Sequence, residues 1–133
     1  MDKLILKIEV EVNPTEDANN VRKAVENVFG NVEFELKLLR RGSLLTVHAE
    51  GLESLTKFCN LLRRERIRDA ARTVLFKGLR NGTITFYFNK QAAFMGHLSF
   101  SEPTGESPLG PVKAEISCDN PKELIHWIAP KTA

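Results

Sequence analysis

Residues 3–12, KLILKIEVEV, alternate apolar with charged positions. Leu4, Leu6, Ile8, Val10 and Val12 take one side, and Lys3, Lys7, Glu9 and Glu11 the other. A period of two makes a strand with one dry face and one wet face. Asn13-Pro14 stops it. Thr15 is placed to cap a helix, with Glu16 and Asp17 in a first turn where negative charge suits the dipole. Ala18, Val21, Val25, Val28 and Phe29 then recur at helical spacing, and Gly30 ends the run. A second alternating strand puts Val32, Phe34, Leu36 and Leu38 inward and Glu33, Glu35 and Lys37 outward. Arg40-Arg41-Gly42-Ser43 reads as a hairpin loop, and 44–50 as the return strand.

From Leu52 the period lengthens to that of a helix. An early stripe, Leu55, Phe58 and Leu62, is followed by a later one, Ile67, Ala70, Ala71 and Val74. At about 100° per residue the two differ in phase by roughly 130°, too much for one straight helix. The offset predicts a break near Arg64–Arg66 and two helices. Residues 77–82, KGLRNG, make a turn, and TITFYFN at 83–89 returns to alternation with Ile84, Phe86 and Phe88 inward. A short strand over 97–100 precedes a Gly/Pro/Ser loop at 102–111. VKAEISC is a further strand. Asn120 caps a last helix with Pro121 at its first position and Glu123 reaching back. Leu124, Trp127 and Ile128 form its expected buried side, and Pro130 stops it.

The order is βαββα(α)β, then one or two strands and a terminal helix. One mostly antiparallel or mixed sheet, covered on one face by helices, is the natural α+β solution. The 133 residues fit one domain with a core of its own. No run approaches the ~20 apolar residues of a membrane span, and the amino-terminal strand pattern is not that of a signal peptide. Cys59 and Cys118 sit in apolar segments, which suits reduced core thiols of a cytoplasmic protein.

Catalytic signatures are absent: no GxxxxGK, GxSxG, HExxH or CxxC. His48, His97 and His126 lie far apart and lack partners at metal-ligand spacing, so no metal and no cofactor is expected. Glu9 with Glu11, and Glu33 with Glu35, share strand faces with lysines and read as a solvated sheet surface, not as an acid/base pair. Tyr87 is the only clear aromatic on the outward register. A sheet that stacks bases needs several.

Charge changes the picture most. Residues 1–35 carry four basic and eight acidic side chains, residues 36–90 twelve basic and four acidic, and residues 91–133 three basic and five acidic. The overall +2 therefore hides a middle segment of +8, centred on RRERIRDAAR at 63–72, with five arginines in ten positions. Arg64, Arg68 and Arg72 project from one side of the predicted helices, Arg63 and Arg66 flank the break, and Lys77 and Arg80 continue beyond. Arg40 and Arg41 are expected to join that ridge. Guanidinium groups bond phosphate oxygens bidentately and stack on bases. The competing reading is a salt-bridged helix surface, Asp69 with Arg72 or Arg66, or a subunit contact. Asn89-Lys90-Gln91 has two readings as well. It is a second contact loop, or a strand end where Asn89 and Gln91 satisfy free backbone groups, and the second is slightly preferred.

Several stretches together resemble one family: PTED at 14–17, VRKAVENVF at 21–29, RIRDAARTVL at 66–75, FYFNKQAAFMG at 86–96, PLGPV at 108–112 and LIHWIAP at 124–130. The chain is similar, end to end, to the uncharacterised protein family 0201 of archaea. The resemblance implies an α+β fold like that of the large-subunit ribosomal protein L-five, a role in RNA binding and a small cytoplasmic protein. Its motifs fall on Arg66, Arg68, Asp69, Arg72, Asn89, Lys90, Gln91 and Gly110, and it transfers no catalytic residue.

The sequence thus predicts a non-enzymatic RNA-binding protein. Arg63, Arg64, Arg66, Arg68 and Arg72 would meet the phosphate backbone, Lys77, Arg80 and Lys90 extend that surface, and Asn89 and Gln91 offer base or sugar contacts. Sequence specificity should be weak. A homodimeric or protein-interaction module, its basic ridge against the acidic strands of another copy, is the alternative. A ligand site under the 102–111 loop is a further one, with no particular reaction indicated.

Overall fold

Alternation becomes a sheet and helical spacing its cover. The computed structural model describes residues 3–103 and 110–131, so most of the predicted 102–111 loop lies outside the described residues. In chain order the elements are β1 (Ile5–Val12), α1 (Ala18–Phe29), β2 (Phe34–Leu38), β3 (Ser43–Glu50), a 3-10 turn (Leu52–Leu55), α2 (Thr56–Arg64) and α3 (Arg68–Lys77). There follow β4 (Leu79–Arg80), β5 (Thr83–Asn89), α4 (Lys90–Phe94), β6 (Phe100–Ser101), β7 (Pro111–Ser117) and α5 (Pro121–Ile128).

Every strand pairing is antiparallel. The order is β2-β3-β1-β7-β5-β4, with β6 sharing the outer side of β5. β1 is central because both its neighbours match its register. Ile8 lies opposite Val47 and Ala114, and Leu6 opposite Ala49 and Ile116. This aligns the apolar positions of β1, β3, β7 and β5 on one face, where the helices bury them. Rings run through that core: Phe29 stacks on Phe58, and Phe58 on Phe86, each at 5.3 Å between centroids. Asn81-Gly82, with φ of 49° and 80°, makes the tight β4–β5 turn, the conformation a two-residue hairpin requires. Gly78 lies so close to the Thr85 backbone that a side chain there would strike the Thr85 carbonyl.

The opposite face is a lattice of matched charges. Glu9 lies between Thr46 and Lys113, and Lys7 between His48 and Glu115. Lys113 also pairs with Glu115 at 3.0 Å, a hydrogen bond that, with the surrounding carboxylates, holds the ammonium pKa above its ordinary value despite burial. Glu9 and Glu11 are exposed on this surface.

Several expected details move. Asp17, not Thr15, caps α1, its carboxylate accepting from the Asn19 N–H at 2.8 Å. On β2, Leu36 and Leu38 are exposed, because α1 reaches only as far as Phe34, whose ring carries the Arg22 guanidinium at 5.2 Å. In α3 the buried positions are Ala71 and Leu75 while Ala70 is exposed. In α5 Ile125 joins Leu124 and Ile128 inside, and Trp127 turns out. A short helix, α4, stands where a strand end was expected, and the short strand falls at 100–101. Among the described residues no helix is long and apolar enough to cross a membrane.

Candidate nucleic-acid interface

The break foreseen from the phase offset falls at Arg66. α2 ends with Arg66 in the left-handed region at φ 58°. The Arg66 N–H reaches the Arg63 carbonyl at 3.2 Å and the Ile67 N–H reaches Leu62 at 3.1 Å. These two bonds make a Schellman motif, whose left-handed position usually holds glycine. Ile67 then packs against the core and α3 starts in a new direction. The reversal is what turns one arginine run into a cluster around a corner.

Arg63 and Arg68, on either side of the corner, line one cleft of about 190 Å³ with Thr56, Cys59, Asn60 and Trp127. Arg63 is exposed and Arg68 half-buried. The Trp127 indole is 45% exposed at the cleft wall. Burial pushes the Cys59 thiol up to about 11, against the pull of Arg63, so it stays neutral and adds no negative charge beside the arginines. The cleft thus offers two guanidinium forks, an aromatic face and two neutral polar side chains, a set suited to a phosphate with a base beside it.

The other predicted residues divide. Arg66 is exposed at the corner. Arg64 turns the other way and donates to the Gly96 carbonyl at 3.1 Å, next to a pair formed by Glu65 and His97 at 2.9 Å. The His97 bond, helped by the Leu98 N–H and opposed by desolvation, holds the Glu65 carboxyl below its ordinary range. Arg72 is occupied in the fold: one nitrogen donates to the Ala129 carbonyl at the end of α5, at 3.1 Å, and another meets Asp69 at 2.8 Å. It ties α5 to α3, where Phe76 also meets the His126 ring edge-on at 5.6 Å. Lys77 and Arg80 are exposed near the β4 edge, and Arg80 donates to the Leu79 carbonyl.

Asn89 caps α4, accepting from the Ala92 N–H at 2.8 Å, which is the backbone-satisfying reading of that segment. Gln91 is exposed on the far side of α4, by a cleft that also holds Glu16 and Asp17. Lys90 needs correcting as a surface cation. It is 3% exposed, its ammonium donating to the Glu11 carbonyl at 2.8 Å and to Glu16 at 2.9 Å. Burial works to raise the Glu16 pKa, but bonds from the Asn13 N–H, from Lys90 and from the Asn13 amide outweigh it and hold the carboxyl below its ordinary 4.5. The pair anchors α4 to the β1–α1 connection.

Trp127, Asn60 and Thr56 are the residues sequence reasoning missed at this site. One signal for Trp127 was present: Leu124, Ile125 and Ile128 alone complete a helical stripe, which leaves the chain's single tryptophan on its border. No group of three or more His, Cys, Asp or Glu side chains that could hold a metal occurs among the described residues.

A family model described as RNA binding matches residues 6–117. A UPF0201 protein of Saccharolobus solfataricus is 47% identical over 126 residues, 92% of this chain and 85% of its own length. One from Sulfurisphaera tokodaii is 48% identical over 136 residues, 100% of this chain and 90% of its own. The crystal structure of the Methanococcus jannaschii UPF0201 protein, 31% identical, superposes with a TM-score of 0.85 and covers 97% of this chain and 95% of that one. Sequence similarity at that level along nearly the whole chain, carried by the same sheet and helix layer, makes this chain a member of the UPF0201 family.

Proposed function

We propose that this protein binds single-stranded RNA without catalysing a reaction on it. Arg63, Arg66 and Arg68 grip phosphates at the α2–α3 corner, and Trp127 offers a face for one base. The carrying observation is the shared cleft, with Arg63, Arg68 and a half-exposed indole around one opening. The family model's RNA-binding description supports the class of ligand. Arg66 adds support of another kind: an arginine stands where glycine would fold more cheaply, and strain of this sort collects at functional positions. Arg64, turned to the Gly96 carbonyl, and Lys77, Arg80 and Gln91 stand apart from this grip and add no phosphate contact to it. The open sheet face does not compete for RNA, since its lysines Lys7 and Lys113 are matched by Glu115 and Glu9 while Glu11 stays exposed beside them. With phosphates dominating, sequence specificity is weak.

The test is binding of labelled single- and double-stranded RNA across a salt series, read together with intrinsic fluorescence. The chain has one tryptophan, so the emission reports Trp127 alone. Arg63→Ala/Arg68→Ala should reduce the log–log salt slope by about 1.4 on a single strand. Single-stranded RNA should quench the emission of the wild type. Absence of binding at low salt overturns the proposal. Binding with unchanged emission removes Trp127 from it and leaves the phosphate grip.

A further inference from the structure

Within the sheet Glu9 faces Lys113 and Lys7 faces Glu115, so part of the acidic surface is already matched before another copy's arginine ridge could reach it. A different surface fits a second copy. β2 is an edge strand that pairs with β3 alone among the described residues. Exposed edges are normally blunted by inward charges, bulges or proline. Here the helix-side positions beyond Phe34 are leucines, Leu36 53% and Leu38 80% exposed, and Leu39, 39% exposed, follows at the strand end on the other register. They adjoin one another on one short hairpin, the kind of apolar patch that marks a contact surface.

The backbone fixes which register an added strand can take. The Leu39 N–H donates to the Gly42 carbonyl at 3.1 Å across the hairpin. Hydrogen-bonding direction alternates along an antiparallel strand. Lys37 and Glu35 therefore also point their backbone groups at β3, and Phe34, Leu36 and Leu38 point theirs outward. The side chains of Phe34–Leu38, FELKL, are self-complementary about Leu36. In an antiparallel pairing centred there, Phe34 faces the partner's Leu38 and Glu35 faces the partner's Lys37. The outward backbone groups of positions 34, 36 and 38 then meet each other. The Arg40–Arg41 turn comes beside the partner's Glu33.

We propose that this protein forms a two-fold homodimer in which β2 pairs antiparallel with β2 of a second copy about Leu36, continuing the sheet across both subunits. Pairing about Leu36 joins three features in one geometry: unpaired outward backbone groups, leucines without cover and charges of opposite sign at facing positions. A slip by one residue would turn the leucines to the other face. This contact is separate from the arginine corner and stands whether or not RNA binds.

The oligomeric state is measured without RNA by sedimentation equilibrium, from micromolar to several hundred micromolar protein. The expected species is about 30 kDa, twice the 15.0 kDa chain. Leu38→Lys should yield monomer. Lys37→Glu sets a carboxylate against the partner's Glu35 and should weaken association about tenfold. Glu35→Lys/Lys37→Glu restores opposite charges and should return it to near the wild-type value. All three positions are exposed, and circular dichroism checks that the fold is kept. A monomer throughout, or a dimer indifferent to Leu38→Lys, overturns the proposal. So does a double swap no tighter than Lys37→Glu, because the register is then wrong.

Discussion

Replacing Arg66 by glycine should stabilise the fold and loosen its hold on RNA together. Arg66 occupies the left-handed position of the α2 terminus at φ 58°, with its N–H on Arg63 and the next N–H on Leu62. A side chain with a Cβ costs about 1–2 kcal/mol in that conformation. Glycine removes the strain but adds backbone freedom to the unfolded chain, worth about 0.5–1 kcal/mol in the opposite direction. The balance is a gain of about 0.5–1 kcal/mol. For a chain of 133 residues that raises Tm by roughly 2–5 °C. Urea unfolding should show a higher midpoint and an unchanged slope, since the exposed surface is the same in both proteins. If Arg66 grips a phosphate as proposed, the same change removes that contact, and the salt slope on single-stranded RNA should fall by about 0.7. Arg66→Ala separates the two effects: alanine keeps the strain, so stability stays near the wild type while the salt slope falls equally. If Arg66→Gly is less stable than the wild type, the left-handed position is not strained and its support for a functional arginine disappears. If stability rises but the salt slope holds, the strain is real and Arg66 touches no phosphate.

Two further outcomes follow from the buried ion pair. Lys90→Met should destabilise the fold by about 3–5 kcal/mol, because the Glu16 carboxylate loses its cation inside the protein, and Lys90→Met/Glu16→Met should recover much of it. Neither should change the RNA salt slope, whereas a slope that falls with Lys90→Met at unchanged stability would make Lys90 a surface contact after all. The Glu16 pKa is lowered in the folded state, so its contribution is present above the ordinary 4.5 and is lost as pH falls from there through the folded value. Thermal unfolding followed below pH 4.5 should therefore fall more steeply for the wild type than for Glu16→Gln, and parallel curves would contradict the assignment.

The sheet was legible because its register rests on a local signal. Leu4, Leu6, Ile8, Val10 and Val12 each fall on the buried face, as do Ile84, Phe86 and Phe88. The α2–α3 break was legible for the same reason: a phase offset between stripes is a property of neighbours along the chain. Errors came where the deciding partner is distant in sequence. Lys90 reads as a surface lysine until Glu16 is brought beside it from 74 residues away. Alternation sends Leu36 and Leu38 inward, but whether any helix covers the inward face so far from α1 depends on how long α1 is and where it crosses. Trp127 is apolar enough to be assigned to a core that Ile125 fills instead.

The same distinction bears on the arginine cluster. Counting charges gave a middle segment of +8, as if all its cations faced one way. In the fold Lys90 is buried on Glu16, Arg72 is held by Asp69 and the end of α5, and Arg64 bends to Gly96. Arg40 and Arg41 belong to the β2–β3 hairpin, away from the corner, and Lys77 and Arg80 lie near the β4 edge. Arg63 and Arg68 remain at the cleft with Trp127, and Arg66 is exposed at the corner between them, three guanidinium groups in all. Eight phosphate contacts would give a single-strand salt slope of about −6, and three give about −2. A shallow slope is therefore the signature of this site, and it makes the aromatic contact weigh more. With few counterions released, a base stacked on Trp127, worth about 1–3 kcal/mol, becomes comparable to the phosphate grip. Affinity for single strands should then survive salt better than affinity for duplex, whose bases have no face to present to the indole.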